Sequence, residues 1–222
     1  MASPVACFTF DHLRADAPYS GIDAVLDRHG VRATFFLDGQ EAARDPAAVA
    51  DRLARGHEVG CHGWAHEDWQ TLDAARERQL LGRATDALRD AGADPRGFRA
   101  PGGSRTRSTP EILNDLGYTY DASLGDGMRV SRVGPVTQVP FVWAGVDGAH
   151  YLLDPPRPPS EVRARWLETL ASVVETGGLF LLICHPEITG TDSDRLAALD
   201  TVIGAAVDAG VDTRTVGEVA AA

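Results

Sequence analysis

The sequence predicts an α/β fold, a single irregular (β/α) barrel of about seven strands. Three observations lead there. Short apolar, β-rich runs alternate with amphipathic helical ones along the whole chain. Repeated strand–helix units imply parallel strands with helices outside. No composition break, internal repeat, low-complexity tract or linker divides the 222 residues, a length that suits one large α/β domain or two small ones. The expectation is one domain over residues 1–222. A doubly wound open sheet is the rival, but no Gly-rich dinucleotide turn follows the first strand.

The elements follow in order. Val5–Phe10 reads as a strand. Gly21–His29 reads as a helix, with Ile22, Val25 and Leu26 on one side and Gly30 as its stop. Ala33–Leu37 is a second strand. Asp45 caps a helix through Arg55, with Pro46 in its first turn. Glu58–His62 is a third strand, and Thr71–Ala91 a long helix with Leu72, Leu80, Leu81, Ala84 and Leu88 inward. Gly97–Arg99 is a brief strand. Ser108-Thr109-Pro110-Glu111 carries a capping-box pattern ahead of a helix to Leu116. Tyr118–Ala122 and Thr137–Val142 follow as strands, with loop-rich interruptions at Gly125–Arg132 and Asp147–Pro159. A helix runs from Ser160 through Val174, then Leu179–Cys184 forms the most apolar strand. A helix over Ser193–Ala209, a strand at Val211–Thr213 and a short helix at Val216–Ala221 close the chain.

Composition narrows the partners. A formal charge of −11 argues against nucleic acid and anionic membrane, both of which demand basic patches. No run approaches the roughly 18 apolar residues of a membrane span. Met1–Val5 lacks the pattern of a secretory signal, so a native start would mean a cytoplasmic protein. Cys7, Cys61 and Cys184 are odd in number and far apart; they read as buried free thiols, with a catalytic cysteine as the lesser reading. A small-molecule substrate and a homo-oligomer are both compatible with this composition.

The chemistry gathers at strand ends. Cys61-His62-Gly63-Trp64-Ala65-His66-Glu67 holds two imidazoles four residues apart, which share a face on one helical turn or a tight loop. Two neutral histidines aimed at one point can grip a transition metal. That spacing alone is weak, and a pair of surface or capping histidines is the bland reading. Asp11 and His12, Arg99, Asp121 and His185 also end predicted strands. In α/β barrels that C-terminal face is the working face. Arg99 precedes Pro101-Gly102-Gly103, a turn that presents it to a cleft. Trp64 and Trp143 either pack or wall a pocket, since indole faces stack on rings. Glu67 either orients His66 or is solvated. Asp121 either caps locally or partners Arg99 or His185. His29 and His57 carry no motif and read as structural; His150 and Tyr151 have no assigned role.

These clusters, in this order, resemble the polysaccharide deacetylase family, carbohydrate esterase family 4, from Val5 to Val219. Thr9-Phe10-Asp11 looks like its first motif. His62 and His66 look like its metal-binding His-x-x-x-His, and Arg99-Ala100-Pro101-Gly102 like its Arg-x-Pro-x-Gly. Leu182-Ile183-Cys184-His185 looks like the Leu-x-x-His that closes the site. Tyr120–Ser123 and Val139–Trp143 resemble a branch with intracellular peptidoglycan-deacetylase-like and allantoinase-like members. The resemblance implies a distorted barrel and hydrolysis of an N-acyl or other amide bond. It implies Asp11 as general base, His62 and His66 as ligands of a divalent metal (zinc first), His185 as general acid and Arg99 as the partner of Asp11. Trp64, Pro101, Gly102, Trp143 and Asp121 are then the substrate-side candidates.

The departure is His12, where most members carry a ligating Asp. Either His12 turns inward and completes three histidines with an open fourth position, or it points away and hydrolysis rests on Asp11 and His185 without metal. A metal-dependent N-deacetylase acting on an acetylated sugar or small amide is therefore the first expectation. A metal-independent cyclic-amide hydrolase is the second, and a non-hydrolytic isomerase, cyclase or binding protein the third.

Overall fold

The computed structural model describes residues 3–12, 18–125 and 127–222, so the reading of Met1-Ala2 and the part of the Gly125–Arg132 interruption at Asp126 lie outside the described residues. In chain order the elements are β1 (Pro4–Asp11), α1 (Tyr19–His29), β2 (Thr34–Leu37), α2 (Gly39–Arg44), α3 (Pro46–Ala54), β3 (Glu58–Cys61), α4 (Ala74–Asp90), β4 (Gly97–Phe98), α5 (Thr109–Asp115), β5 (Tyr120–Asp121), β6 (Ser131–Val133) and β7 (Val136–Gln138). They continue with α6 (Gly148–Tyr151), α7 (Pro159–Thr176), β8 (Gly178–Cys184), α8 (Pro186–Thr189), α9 (Ser193–Asp208), β9 (Asp212–Thr213) and α10 (Val216–Ala220).

The strands form one sheet in the order β6-β7-β5-β4-β3-β2-β1-β8, with β9 against β1. Each neighbour pair is parallel except the β6–β7 hairpin. The series β8-β1-β2-β3-β4-β5-β7 is the expected ring of parallel strands. The sheet curls, and the segment after β7 crosses the last interval: Phe141 bridges Leu124 beyond β5, and Val146 bridges Ile183 of β8. This is the α/β barrel the periodicity predicts, irregular where that segment replaces a regular strand.

Strand parity divides the core. Cys7, Phe36, Tyr120, Leu179, Leu181 and Ile183 point inward and pack with Val139, Phe141 and Val146. The alternate residues Phe8, Phe10, Phe35, Phe98, Phe180 and Leu182 face outward under the helices. Aromatic rings from neighbouring strands fill the interior. A Cβ on Gly97 would lie 1.9 Å from Cζ of Tyr120, so β4 is glycine where that ring crosses it. The three cysteines are free and buried, Cys7 inside the barrel and the other two outward.

Local corrections have local causes. Ser108 does not cap α5, because its own backbone is already helical (φ −84, ψ −19). Thr106 Oγ1 accepts from the Ser108 N–H instead. The capping box that does form lies at α10, between Thr215 and Glu218. Asp45 caps α3 by accepting from Ala48 N, as expected. The long helix starts later than Thr71, at Ala74, where Asp73 caps it. The strand expected over Thr137–Val142 ends at Gln138, two residues before Pro140, which has no N–H for a ladder. Among the described residues no helix is long and apolar enough to cross a membrane.

Candidate active site

Parity carries the polar residues to one end of the barrel. In β1, Cys7, Thr9 and Asp11 alternate inward; in β8, Leu179, Leu181 and Ile183 lead to His185. The result is a cavity of about 90 Å³ at the C-terminal strand ends, lined among others by Asp11, His62, His66, Arg99 and His185. Its apolar wall is Phe141, Trp143, Val146 and Ile183, and Gly102 and Gly103 form part of its rim.

Arg99 is the most buried ionisable group lining the cavity, with 1% of its surface exposed. Its Nη1 donates to Asp11 Oδ1 at 2.7 Å and to Thr9 Oγ1 at 2.8 Å, and its Nε donates to the Ala122 carbonyl at 3.0 Å. The guanidinium lies 4.2 Å from the Phe36 ring centroid. Burial alone would raise the Asp11 carboxyl. Arg99, followed by the imidazoles of His62, His185 and His12, outweighs it and holds that carboxyl below its ordinary range.

The histidine pair sits on a tight loop after β3. Glu67 closes that loop by accepting from Trp64 N and Ala65 N at 3.1 and 3.0 Å, so it shapes the loop and makes no bond to His66. Gly63 and His66 both take positive φ, 81° and 57°. His62 Nδ1 donates to the Arg99 carbonyl at 2.9 Å, which leaves Nε2 with its lone pair. Burial drives the His62 imidazolium well below its usual pKa, and burial followed by His12 lowers that of His66.

His12 turns inward. Its ring centroid lies 4.9 Å from that of His62, 4.4 Å from His66 and 5.4 Å from His185. One candidate ligand atom from each of His12, His62 and His66 lies within 4.8 Å of the others. Two of the three have Nδ1 bound to an acceptor, on Asp38 or Arg99, so each offers Nε2. The donor set suits a nitrogen-preferring divalent ion.

His185 follows β8, and its Nδ1 donates to Asp147 Oδ1 at 2.6 Å. Asp147 is fully buried and also accepts from His185 N, Gly148 N and Thr189 Oγ1 at 2.8, 2.6 and 2.7 Å. Burial would lower the His185 pKa; the hydrogen bond and charge of Asp147 overcome it and raise it to about 9.

Several expected positions fall elsewhere. Asp121 is wholly buried on the opposite parity of β5 from Tyr120 and Ala122. It accepts from Ser123 N at 3.0 Å and pairs with Arg105 at 3.2 Å, so it partners neither Arg99 nor His185 and does not line the cavity. Trp64 lies outside the cavity wall, its ring covered by the Arg83 guanidinium at 3.6 Å. Pro101 is buried beside Gly63, while Gly102 and Trp143 reach the cavity. His29 pairs with Asp200 and His57 accepts from Ala33 N, both far from the cavity lining. His150 Nε2 donates to the Ala144 carbonyl at 2.9 Å.

Two carboxylates are missing from the sequence reading. Asp38 directly follows β2, so the strand-end rule applied to that strand would have found it. Asp147 follows Val146 in the irregular closing segment, and no sequence pattern marks it.

Known proteins bear on this arrangement. The sequence matches the polysaccharide deacetylase family over residues 1–120. It is 37% identical over 117 residues to a chitin deacetylase of Pestalotiopsis sp, covering 50% of this chain and 38% of that one. The chain spans less than half the length of the curated relatives it matches. The crystal structure of a putative polysaccharide deacetylase from Mycobacterium smegmatis superposes with a TM-score of 0.87 at 28% identity, over 100% of this chain and 90% of that one. The PuuE allantoinase shares the fold, with a TM-score of 0.86 at 17% identity over 99% of this chain and 90% of its own. The family's deacetylases are hydrolases of carbon–nitrogen bonds other than peptide bonds. With the match running over more than half its length, the chain belongs to the polysaccharide deacetylase family.

Proposed function

We propose that the chain is a metal-assisted hydrolase that removes the acyl group from an N-acetylated sugar or a comparable small amide. The observation that carries this reading is the convergence of Asp11, His62, His66, Arg99 and His185 on one open cavity. An acid, a base and a base-holding arginine have no purpose in a mere binding scaffold. The inward turn of His12 favours metal assistance over its absence, because three imidazoles then face one point.

His12, His62 and His66 would hold the ion. A divalent ion there supplies Lewis acidity toward the scissile carbonyl and the attacking water. Asp11 accepts the proton of that water on a carboxylate oxygen; Arg99 keeps the carboxylate ionised and fixed. His185, protonated through Asp147, has its Nδ1 engaged, so Nε2–H gives its proton to the departing nitrogen. Steps of this kind contribute about 10²–10⁴-fold each. The cavity of about 90 Å³ suits an acyl group, with the rest of the substrate on the rim against Trp143.

The test is release of carboxylate and amine from a panel of N-acetylated sugars, with cyclic ureides and imides as a second panel and chelator controls. Metal-stimulated release from the first panel, lost in Asp11→Asn, is the expected result. Turnover confined to the second panel and indifferent to chelator would replace this reading with the cyclic-amide one.

A further inference from the structure

We infer that Asp38 is a positioning residue: it fixes His12 as the third metal-holding imidazole and sets a negative charge one imidazole away from the ion. The inference rests on the metal-site reading above and adds a residue to it.

The first support is the backbone of His12. Its φ is 72°, left-handed for a residue with a Cβ. Such a conformation is strained and persists only where its surroundings over-determine it. His12 is held at its N–H, its carbonyl and Nδ1. Its N–H donates to the Phe36 carbonyl at 2.9 Å, its carbonyl accepts from Tyr19 Oη at 2.6 Å, and its Nδ1 donates to Asp38 Oδ2 at 2.9 Å. That degree of restraint aims the ring; a packing histidine needs none of it.

The second support is what Asp38 forgoes. It occupies the N-cap position of α2, where an aspartate ordinarily accepts from the first-turn N–H groups. Its side chain makes no such bond. The Gly39 and Gln40 N–H groups donate instead to the Gly63 and Trp64 carbonyls at 3.0 and 2.8 Å, which leaves the Asp38 carboxylate for His12. The third is its unfinished hydrogen bonding. Asp38 is 6% exposed, and Oδ1 has no hydrogen-bond partner among the described residues. A buried carboxylate with half its acceptors idle is costly. Positive charge in the adjacent cluster of His12, His62 and His66 relieves that cost. A carboxylate behind a ligating imidazole fixes its tautomer and makes it a stronger donor. Three neutral nitrogens also select zinc, cobalt or nickel over magnesium or calcium.

The experiment is Co²⁺ titration of the full chain, followed by visible absorption and chelator competition, with folding checked by far-UV circular dichroism. Wild type is expected to bind one Co²⁺ per chain, and Asp38→Asn to bind it about 10–100-fold more weakly. His12→Ala should weaken binding further. The double variant His12→Ala/Asp38→Asn should match His12→Ala alone, because Asp38 acts through His12. Unchanged affinity in Asp38→Asn, or effects that multiply in the double variant, would overturn the role of Asp38 and leave the metal site standing. No Co²⁺ bound by wild type would sink the metal reading itself. Imidazole ¹⁵N shifts of the Zn²⁺-loaded wild type give the same answer without a variant: Nε2 of His12 ligated and Nδ1 carrying its proton supports the role, and ligation through Nδ1 refutes it.

Discussion

Replacing Asp147 with asparagine separates the acid from its orienting charge. Asp147 holds the His185 pKa at about 9 against burial, which pushes the other way. Without the carboxylate, burial is opposed only by the charges of Asp11 and Glu187, so the pKa falls toward the ordinary imidazole value of about 6.5. The difference is up to about 2.5 pH units, or roughly 3.4 kcal/mol at 1.36 kcal/mol per unit. Near pH 8 the protonated fraction of His185 drops from roughly nine-tenths to about 3%. Turnover should therefore fall about 30-fold near pH 8 but far less near pH 5.5, with the alkaline limb of the pH–rate profile moving down by the same interval. Asparagine keeps one acceptor for the Nδ1–H but sets an amide against the other donors, so some loss of stability accompanies the change. The Cε1 proton of His185, followed by NMR against pH, reads the pKa without any substrate. A variant pKa within about one unit of wild type, or a rate loss equal at both pH values, would refute the role of Asp147.

Three further outcomes follow from the same contacts. Arg99→Ala leaves Asp11 as a buried charge without its partner, and urea unfolding should show a loss of about 3–5 kcal/mol; Arg99→Lys keeps the charge but not the fork, and should lose activity while retaining more of the stability. Trp143→Ala should leave the urea midpoint nearly unchanged, because the side chain is 48% exposed, and should raise KM more than it lowers kcat. Stability should also depend on pH with two signs. Asp11, with a depressed folded pKa, contributes stability above its ordinary value of about 3.9 that is lost as pH falls through the folded value. His185, with a raised folded pKa, contributes stability below about 6.5 that is lost as pH rises toward 9. Urea titrations at fixed pH should lose the acid slope in Asp11→Asn and the alkaline slope in His185→Gln.

The parallel strands and long helices were legible because each declares itself over a short window. Phe8, Phe10, Leu182 and Cys184 alternate with inward residues, and Leu80, Leu81, Ala84 and Leu88 mark the buried face of α4. The short elements were not. Helices α2, α6 and α8 have too few residues to show a period. The irregular segment after β7 is strand-like only because Phe141 and Val146 meet edges far away in the chain. In the site, Asp11, His62, Arg99 and His185 were legible as ionisable residues ending apolar runs of one parity. Asp121 misled because it ends a strand too, but on the wrong parity. Trp64 misled because nothing local says that Arg83 covers its ring.

The two missed carboxylates bear on the different roles proposed for His12 and His185. His12 and His185 make the same local bond, Nδ1–H to a buried aspartate. What distinguishes them is the aspartate. Asp147 receives the His185 N–H, the Gly148 N–H and the Thr189 hydroxyl besides the imidazole, and its hydrogen bond and charge overcome burial to hold the His185 pKa up at about 9. Burial raises the Asp38 carboxyl despite the His12 hydrogen bond, and its second oxygen has no partner among the described residues. That carboxylate lies behind one of three imidazoles whose candidate ligand atoms are close together, where a negative charge favours a bound cation. In the proposed reading the same His–Asp pair thus serves as an acid at His185, which stands apart from the cluster, and as a metal-holding arm at His12, which belongs to it. Thr189→Val removes one donor from Asp147 Oδ2 and leaves the His185 bond at Oδ1, so the His185 pKa measured by NMR should stay above the ordinary imidazole value of about 6.5, and a fall to that value would refute the bond to Asp147 as its cause.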